Sequence, residues 1–143
     1  MVRLRSILTL ISVLLIHIPV IAGEPSEGPG KAAEKFYASY LALVNANKDT
    51  MSWVANSKLV TTNFKKFYLK KMTPKEGDVI DCDPILQAQD VPTSPYKAEK
   101  PTIKDNKATV ILTAKFGSDT GKVIVQMVLA SGVWLVDMVR PGK

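Results

Sequence analysis

The sequence is poor in histidine and cysteine, with one residue of each, His17 and Cys82. His17 lies in an N-terminal segment with the features of a cleaved signal peptide, so the remaining chain would have no imidazole. That excludes a histidine general base, a Ser–His or Cys–His nucleophile pair and a histidine metal ligand. A single cysteine forms no intramolecular disulfide, and a lone cysteine is most often a small buried apolar residue. We therefore expect a non-enzymatic domain that is stabilised by packing.

Glycine-rich phosphate loops are also absent, since neither G-x-x-x-x-G-K nor G-x-G-x-x-G occurs. The remaining groups with chemical potential are carboxylates, of which Asp78, Asp81, Asp83 and Asp90 fall in one short region. They could supply oxygen ligands to a divalent cation, but Pro84 interrupts the spacing of a calcium loop. The favoured alternative makes Asp83 a helix cap. We predict no metal and no cofactor.

The first 23 residues have the organisation of a secretory signal peptide. Arg3 and Arg5 precede an apolar run at residues 7–21, and the small residues Ala22 and Gly23 follow. The run is shorter than the roughly 20 apolar residues that a spanning helix needs, and a histidine and a proline interrupt it. No cysteine follows the small residues, as a lipoprotein would require. We predict cleavage, no membrane span in the mature chain, and a periplasmic or secreted location.

The predicted organisation is a signal peptide at 1–23, a flexible tether at 24–30 and one domain at 31–143. Two of the 19 Lys and Arg lie in the signal segment, so 17 remain against 13 Asp and Glu and leave a net charge of +4. These charges are spread along the chain, whereas nucleic-acid binders concentrate cations in a patch or stripe. We expect no nucleic-acid partner.

The first half of the domain has helical periodicity. Apolar residues recur on one face of residues 31–47, which predicts an amphipathic helix. Asp49 or Thr50 could cap a short turn, and Ser57 could cap a second helix that runs to about Met72. Lysines occupy the far side of that helix. Asp83 followed by Pro84 predicts one or two further helical turns.

From Tyr96 onward the apolar period is two, which indicates strands. We predict a weak strand near residues 97–103, then strands at 107–116, 122–129 and 133–139, with a turn at 117–121 and a tight hairpin at Ser131-Gly132. Helices followed by consecutive hairpins predict an α+β fold, with N-terminal helices packed on a curved antiparallel sheet. Apolar residues on the second sheet face suggest a homodimer.

Three motifs span the domain: A-x-x-F-Y-x-x-Y-L at 33–41, D-x-D-P-I-L-x-A-Q-D at 81–90 and G-x-W-x-V-D-x-V at 132–139. Together they resemble a bacterial family of small exported proteins catalogued as a domain of unknown function. The resemblance implies the cone-shaped, cystatin-like fold of the nuclear transport factor two superfamily. It also implies kinship with type VI immunity proteins that neutralise cell-wall amidases delivered between bacteria. Because that superfamily includes enzymes, carriers and binding modules, the fold alone leaves the function open.

Three functional hypotheses follow. The first is protein–protein recognition, with immunity against an envelope-targeting effector as its most concrete form. The second is a carrier or sensor that holds a small apolar ligand between Phe36, Tyr40 and Trp134. The third is a histidine-free lyase or isomerase with Asp137 as base. The lysine-rich helix face is a further docking candidate for an acidic partner.

The predicted binding residues combine the aromatic stripe of the first helix, the polar residues of the middle motif and two residues of the last strand. They are Phe36, Tyr37, Tyr40, Asp83, Gln87, Gln89, Asp90, Trp134 and Asp137.

Overall fold

The computed structural model describes residues 27–143. The predicted signal peptide and the first three residues of the predicted tether lie outside these residues. Within the described part of the chain, no helix combines the length and the hydropathy that crossing a bilayer requires.

Three helices form one layer of the domain. They are α1 (Pro29–Asn45), α2 (Thr50–Asn56) and α3 (Thr62–Met72). The first helix includes the last two residues of the predicted tether, because Pro29 suits the first turn, where no N–H is needed. Asp49 caps α2 as predicted, and its carboxylate accepts a hydrogen bond from the Ser52 amide at 3.0 Å.

The prediction that Ser57 starts α3 is wrong. Thr61 caps this helix instead, and its hydroxyl accepts a hydrogen bond from the Phe64 amide at 3.2 Å. The residues between Ser57 and the cap lie along the last strand of the sheet. There the amide of Val136 donates to the Leu59 carbonyl, and the amide of Thr61 donates to the Val136 carbonyl, both at 2.9 Å. This pairing holds the segment extended and delays the helix.

Five antiparallel strands form the second layer. They are β1 (Lys97–Ala98), β2 (Thr102–Lys104), β3 (Lys107–Phe116), β4 (Asp119–Ala130) and β5 (Val133–Pro141). The sheet order is β1-β3-β4-β5, and β2 also pairs with β3. The weak strand predicted near 97–103 is therefore two short strands, with Pro101 in the gap between them, where its missing N–H breaks no pairing.

The hairpin at Ser131-Gly132 is confirmed, and both residues have positive φ, as a type I′ turn requires. The predicted turn at 117–121 is shorter than expected because β4 already begins at Asp119. Gly121 belongs to this strand, where a Cβ would lie only 2.5 Å from the ring of Phe116. Gly121 therefore leaves space for the ring of Phe116 and does not mark a turn.

The predicted alternation of β3 and β4 is confirmed: their inner faces are buried against the helices. The buried side chains of the two strands are Ala108, Val110, Leu112, Ala114, Val123, Val125 and Met127. The molecule therefore has an α+β fold, in which three helices pack against an open antiparallel sheet. The outer face carries half-buried Ile111, Ile124, Val128 and Leu135. A homodimer through this face stays a prediction.

A β-bulge changes the pattern of β5. Gln126 pairs with Met138 while the next residue, Met127, pairs with Val136, so Asp137 is the extra residue. Strict alternation along this strand predicts that Met138 lies on the inner face with Trp134 and Val136. After the bulge Met138 is instead 49% exposed, and Val139 is buried.

Candidate functional site

The middle motif folds into one closed turn rather than the predicted helical turns. The amide of Gln87 donates to the Asp83 carbonyl at 2.8 Å, and the amide of Asp83 donates to the Ala88 carbonyl at 3.0 Å. Gln87 has φ of 54°, which takes the chain out of the helical region after a single turn. We call residues 83–88 the anchored turn, because α1 holds it in place.

The carboxylate of Asp83 organises this turn. One oxygen, Oδ1, accepts hydrogen bonds from the amides of Ile85 at 2.7 Å and Leu86 at 2.9 Å. The other, Oδ2, accepts from the hydroxyl of Tyr40 at 2.6 Å. Hydrogen bonds to an ionised acceptor are short and strong, so this one side chain ties the turn to α1. The predicted capping role of Asp83 is confirmed, although it caps a turn and not a helix.

Tyrosines extend the network through the helix layer. Because a carboxylate can only accept, Tyr40 must donate to it, and Tyr68 then donates to Tyr40 across 2.9 Å. The Tyr68 hydroxyl also lies 3.0 Å from Oγ1 of Thr50. Tyr37 donates to the carbonyl of Ile85 at 2.8 Å. Three helices thus contribute to one polar chain that ends at the turn.

Burial raises the pKa of all four tyrosines of the chain. For Tyr37 and Tyr40 the pKa lies well above the usual value, and the negative charge of Asp83 adds to the effect of burial. The pKa of Tyr68 is raised mainly by burial. Tyr96, whose hydroxyl donates to the Leu86 carbonyl at 3.3 Å, has a pKa raised to about 12 by burial and then by Asp83. The folded state therefore favours neutral phenols.

These shifts predict alkaline unfolding that coincides with tyrosine ionisation. An unfolded tyrosine titrates near pH 10, so the stabilisation is complete below about pH 10 and is lost as the pH rises toward the folded value of about 12 for Tyr96. Tyrosinate absorbance and circular dichroism should change together above pH 10. The urea-unfolded protein, titrating near pH 10, is the control. Tyrosinate formation near pH 10 with an unchanged dichroism spectrum would contradict the network.

The carboxylates of the middle region do not converge. Among the described residues, no three His, Cys, Asp or Glu lie close enough together to hold a metal ion. Asp78, Asp81 and Asp90 are exposed, while both oxygens of Asp83 are already occupied by protein donors. In this region Asp83 stabilises a turn, and the carboxylates are not brought together as metal ligands.

The structure brings together some of the predicted binding residues and separates others. Phe36, Tyr37, Tyr40 and Trp134 are at most 5% exposed, so a partner would meet the surface they support rather than their rings. Within the described chain, the indole Nε1 of Trp134 has no hydrogen-bond partner. The binding roles of these four side chains stay predictions.

Of the polar residues of the middle motif, some belong to the anchored turn and others lie outside it. Gln87 donates to the Pro84 carbonyl at 2.7 Å and so closes the turn. Gln89 and Asp90 are exposed beyond it. Asp137 lies on β5, where its Oδ1 accepts a hydrogen bond from the Thr61 hydroxyl at 2.7 Å. That contact joins the bulge to the start of α3 and gives Asp137 a structural role.

Aromatic rings fill the interior in which the carrier hypothesis places a ligand. The ring centroid of Phe36 lies 5.6 Å from that of Trp53, 6.4 Å from that of Phe64 and 6.5 Å from that of Tyr40. Such distances are those of packed aromatic pairs. Phe36 and Tyr40 therefore already pack against neighbouring rings of the helix layer.

Sequence reasoning missed several residues of this region. The sequence predicts no binding role for Tyr68 or Tyr96, yet Tyr68 hydrogen-bonds to Tyr40 and Tyr96 to the Leu86 carbonyl. Cys82 is exposed, although the sequence favoured burial, because it belongs to a segment just before the anchored turn that faces solvent. The exposed side chains of Phe67, Val79 and Ile80 were also missed. A buried tyrosine that needs a partner for its hydroxyl is the signal that could have found the network.

The chain matches no model of a known protein family, and no curated protein is significantly similar to it in sequence. It is similar in structure to a chain of the crystal structure of the type VI native effector–immunity complex Tae3-Tai3 from Ralstonia pickettii. The TM-score is 0.68 at 16% identity, and the alignment covers 81% of this chain and 96% of that chain. At this identity the similarity establishes a shared α+β fold.

Proposed function

We propose that this chain is an exported immunity protein, which binds and neutralises an effector that attacks the cell envelope. The observation that carries the proposal is the structural similarity over nearly the whole of a chain from an effector–immunity complex. The proposal includes the cone-shaped fold of the nuclear transport factor two superfamily, removal of residues 1–23 and a periplasmic or secreted location.

The geometry of the site is consistent with recognition by a rigid surface. The tyrosine network fixes the anchored turn against the helices, and the exposed segment at residues 73–82 leads directly into this turn. Interfaces gain affinity when the binding surface is already ordered, because less entropy is lost on association. A protein partner that contacts the anchored turn would therefore meet a preformed surface.

A co-production experiment tests this function. The candidate effectors are any cell-wall amidases found to be encoded beside the gene for this chain, and each is exported to the periplasm of a reporter bacterium. We expect the cognate amidase to lyse the cells and the full-length chain to restore growth. A variant without residues 1–23 should give no protection, since it would stay in the cytoplasm. Failure of the full-length chain to protect or to bind any of these amidases would overturn the proposal.

A further inference from the structure

A groove lies beside the anchored turn, between α3, the segment before the turn and the end of β5. Its volume is about 370 Å³. We call it the α3 groove and define it by Phe67, Lys71, Val79, Ile80, Cys82 and Arg140. None of the three functional hypotheses involves these side chains.

Exposed apolar side chains are concentrated at this groove. Phe67 is 38% exposed, Ile80 42% and Val79 81%. They are three of the seven large apolar side chains that are exposed in the described residues. An exposed apolar cluster with a polar rim is the usual mark of a protein-binding site.

The rim on the α3 side is positively charged. Lys70 and Lys71 follow Phe67 by three and four residues, so they lie on the same helical face as its ring. Lys65 and Lys66 add to the charge, and α3 contains no acidic residue. Among the described residues, the ion pairs involve Glu27, Glu34 and Glu99, and none of them engages a lysine of α3.

The one carboxylate that lines the groove, Asp81, lies on the segment before the anchored turn and not on α3. The cations that line the groove are Lys71 and Arg140, and Asp78 lines the adjoining surface together with Lys70. A carboxylate of a partner would be attracted toward α3 and repelled from the segment before the turn. The charges around the groove therefore favour an acidic partner and also one orientation of that partner.

We propose that the α3 groove binds a protein segment in which Asp or Glu stands beside an aliphatic or aromatic side chain. The apolar side chain contacts Phe67, Val79 and Ile80, and the carboxylate faces Lys70 and Lys71. This assignment rests on the proposed protein-binding function, but it does not require that the partner be an effector.

The probe is a display library of short random peptides, selected on the full-length protein in the form in which its host cell produces it. The selected peptides should be rich in acidic and apolar residues. The double variant Lys70→Glu and Lys71→Glu should weaken their binding by about tenfold, and Val79→Asp by a similar factor. The matched control is Lys104→Glu with Lys107→Glu, which makes the same charge change on exposed lysines of the β2–β3 pair. This control should bind normally.

Cys82 gives an independent measure of occupancy, because it is the only cysteine, is exposed and lines the groove. A saturating selected peptide should slow its alkylation by iodoacetamide several-fold. The same peptide with its apolar residues changed to serine should not.

The proposal is overturned if the selected peptides lack acidic residues, bind the charge-reversed variant unchanged or leave the alkylation of Cys82 unaffected. Equal protection by the serine-substituted peptide would also overturn it, since binding would then be electrostatic alone. These outcomes are separate from growth protection by the whole chain, so either proposal can fail while the other stands.

Discussion

Replacing Phe36 with alanine is expected to lower the free energy of unfolding by about 4 kcal/mol. The side chain is 1% exposed, and its ring packs against those of Tyr37, Trp53 and Phe64. Truncation removes the apolar burial of the ring and leaves a cavity, because three helices and a sheet cannot close around it. Favourable aromatic contacts are lost as well.

Urea unfolding followed by circular dichroism measures this loss. If the alanine variant does not fold, Phe36→Leu provides a milder truncation. The matched control is Phe67→Ala on α3, where the side chain is 38% exposed and truncation should cost about 2 kcal/mol, clearly less than at Phe36. The two variants should behave oppositely in binding: Phe67→Ala should weaken the selected acidic peptides, and Phe36→Leu should not. Equal losses of stability would contradict the assignment of Phe36 to the core.

The Phe36 variants also test the carrier hypothesis. A ligand held between Phe36, Tyr40 and Trp134 would copurify with the wild-type protein and be lost from the Phe36 variants. Because Phe36 and Tyr40 already pack against neighbouring rings, we expect denaturation of the wild-type protein to release no such molecule.

Replacing Asp83 with alanine is expected to cost about 3 kcal/mol. The carboxylate accepts three hydrogen bonds, two from the amides of Ile85 and Leu86 and one from Tyr40. Without it, the two amides and the buried hydroxyl lose their acceptor. Leaving a buried donor unsatisfied is more costly than the net value of the bond itself.

The control for this variant is Asp81→Ala, which removes an exposed carboxylate two residues away and should be nearly neutral. Amide exchange at Ile85 and Leu86 should accelerate only in the Asp83 variant. A double-mutant cycle with Tyr40→Phe should show strong coupling, because both side chains share one hydrogen bond. Additive effects of the two substitutions would show that the bond does not contribute.

The variants at Phe36 and Asp83 test the scaffold separately from the proposed binding surface. Phe36 packs in the core and Asp83 holds the anchored turn, and neither side chain lines the α3 groove. A substitution in the scaffold should change stability first, whereas one in the groove should change binding first. This division is what a surface that recognises a protein requires.

The sequence by itself determined the elements whose signals are local. The apolar periodicity placed α1 and the long strands within a few residues, and it identified the inner face of β3 and β4. The tight hairpin at Ser131-Gly132 could be predicted because only residues that tolerate positive φ suit it. Local signals of this kind depend on neighbours along the chain.

Only the tertiary structure decided where α3 begins, which way β5 turns its side chains after the bulge, and what the tyrosine hydroxyls bind. The start of α3 depends on pairing with Val136, far along the sequence. The bond from Tyr40 to Asp83 joins residues 43 positions apart. The α3 groove likewise combines a helix, a loop and the last strand. No pattern along a single sequence predicts such contacts. They form only when segments that are distant in the sequence pack together and pair each other's polar groups.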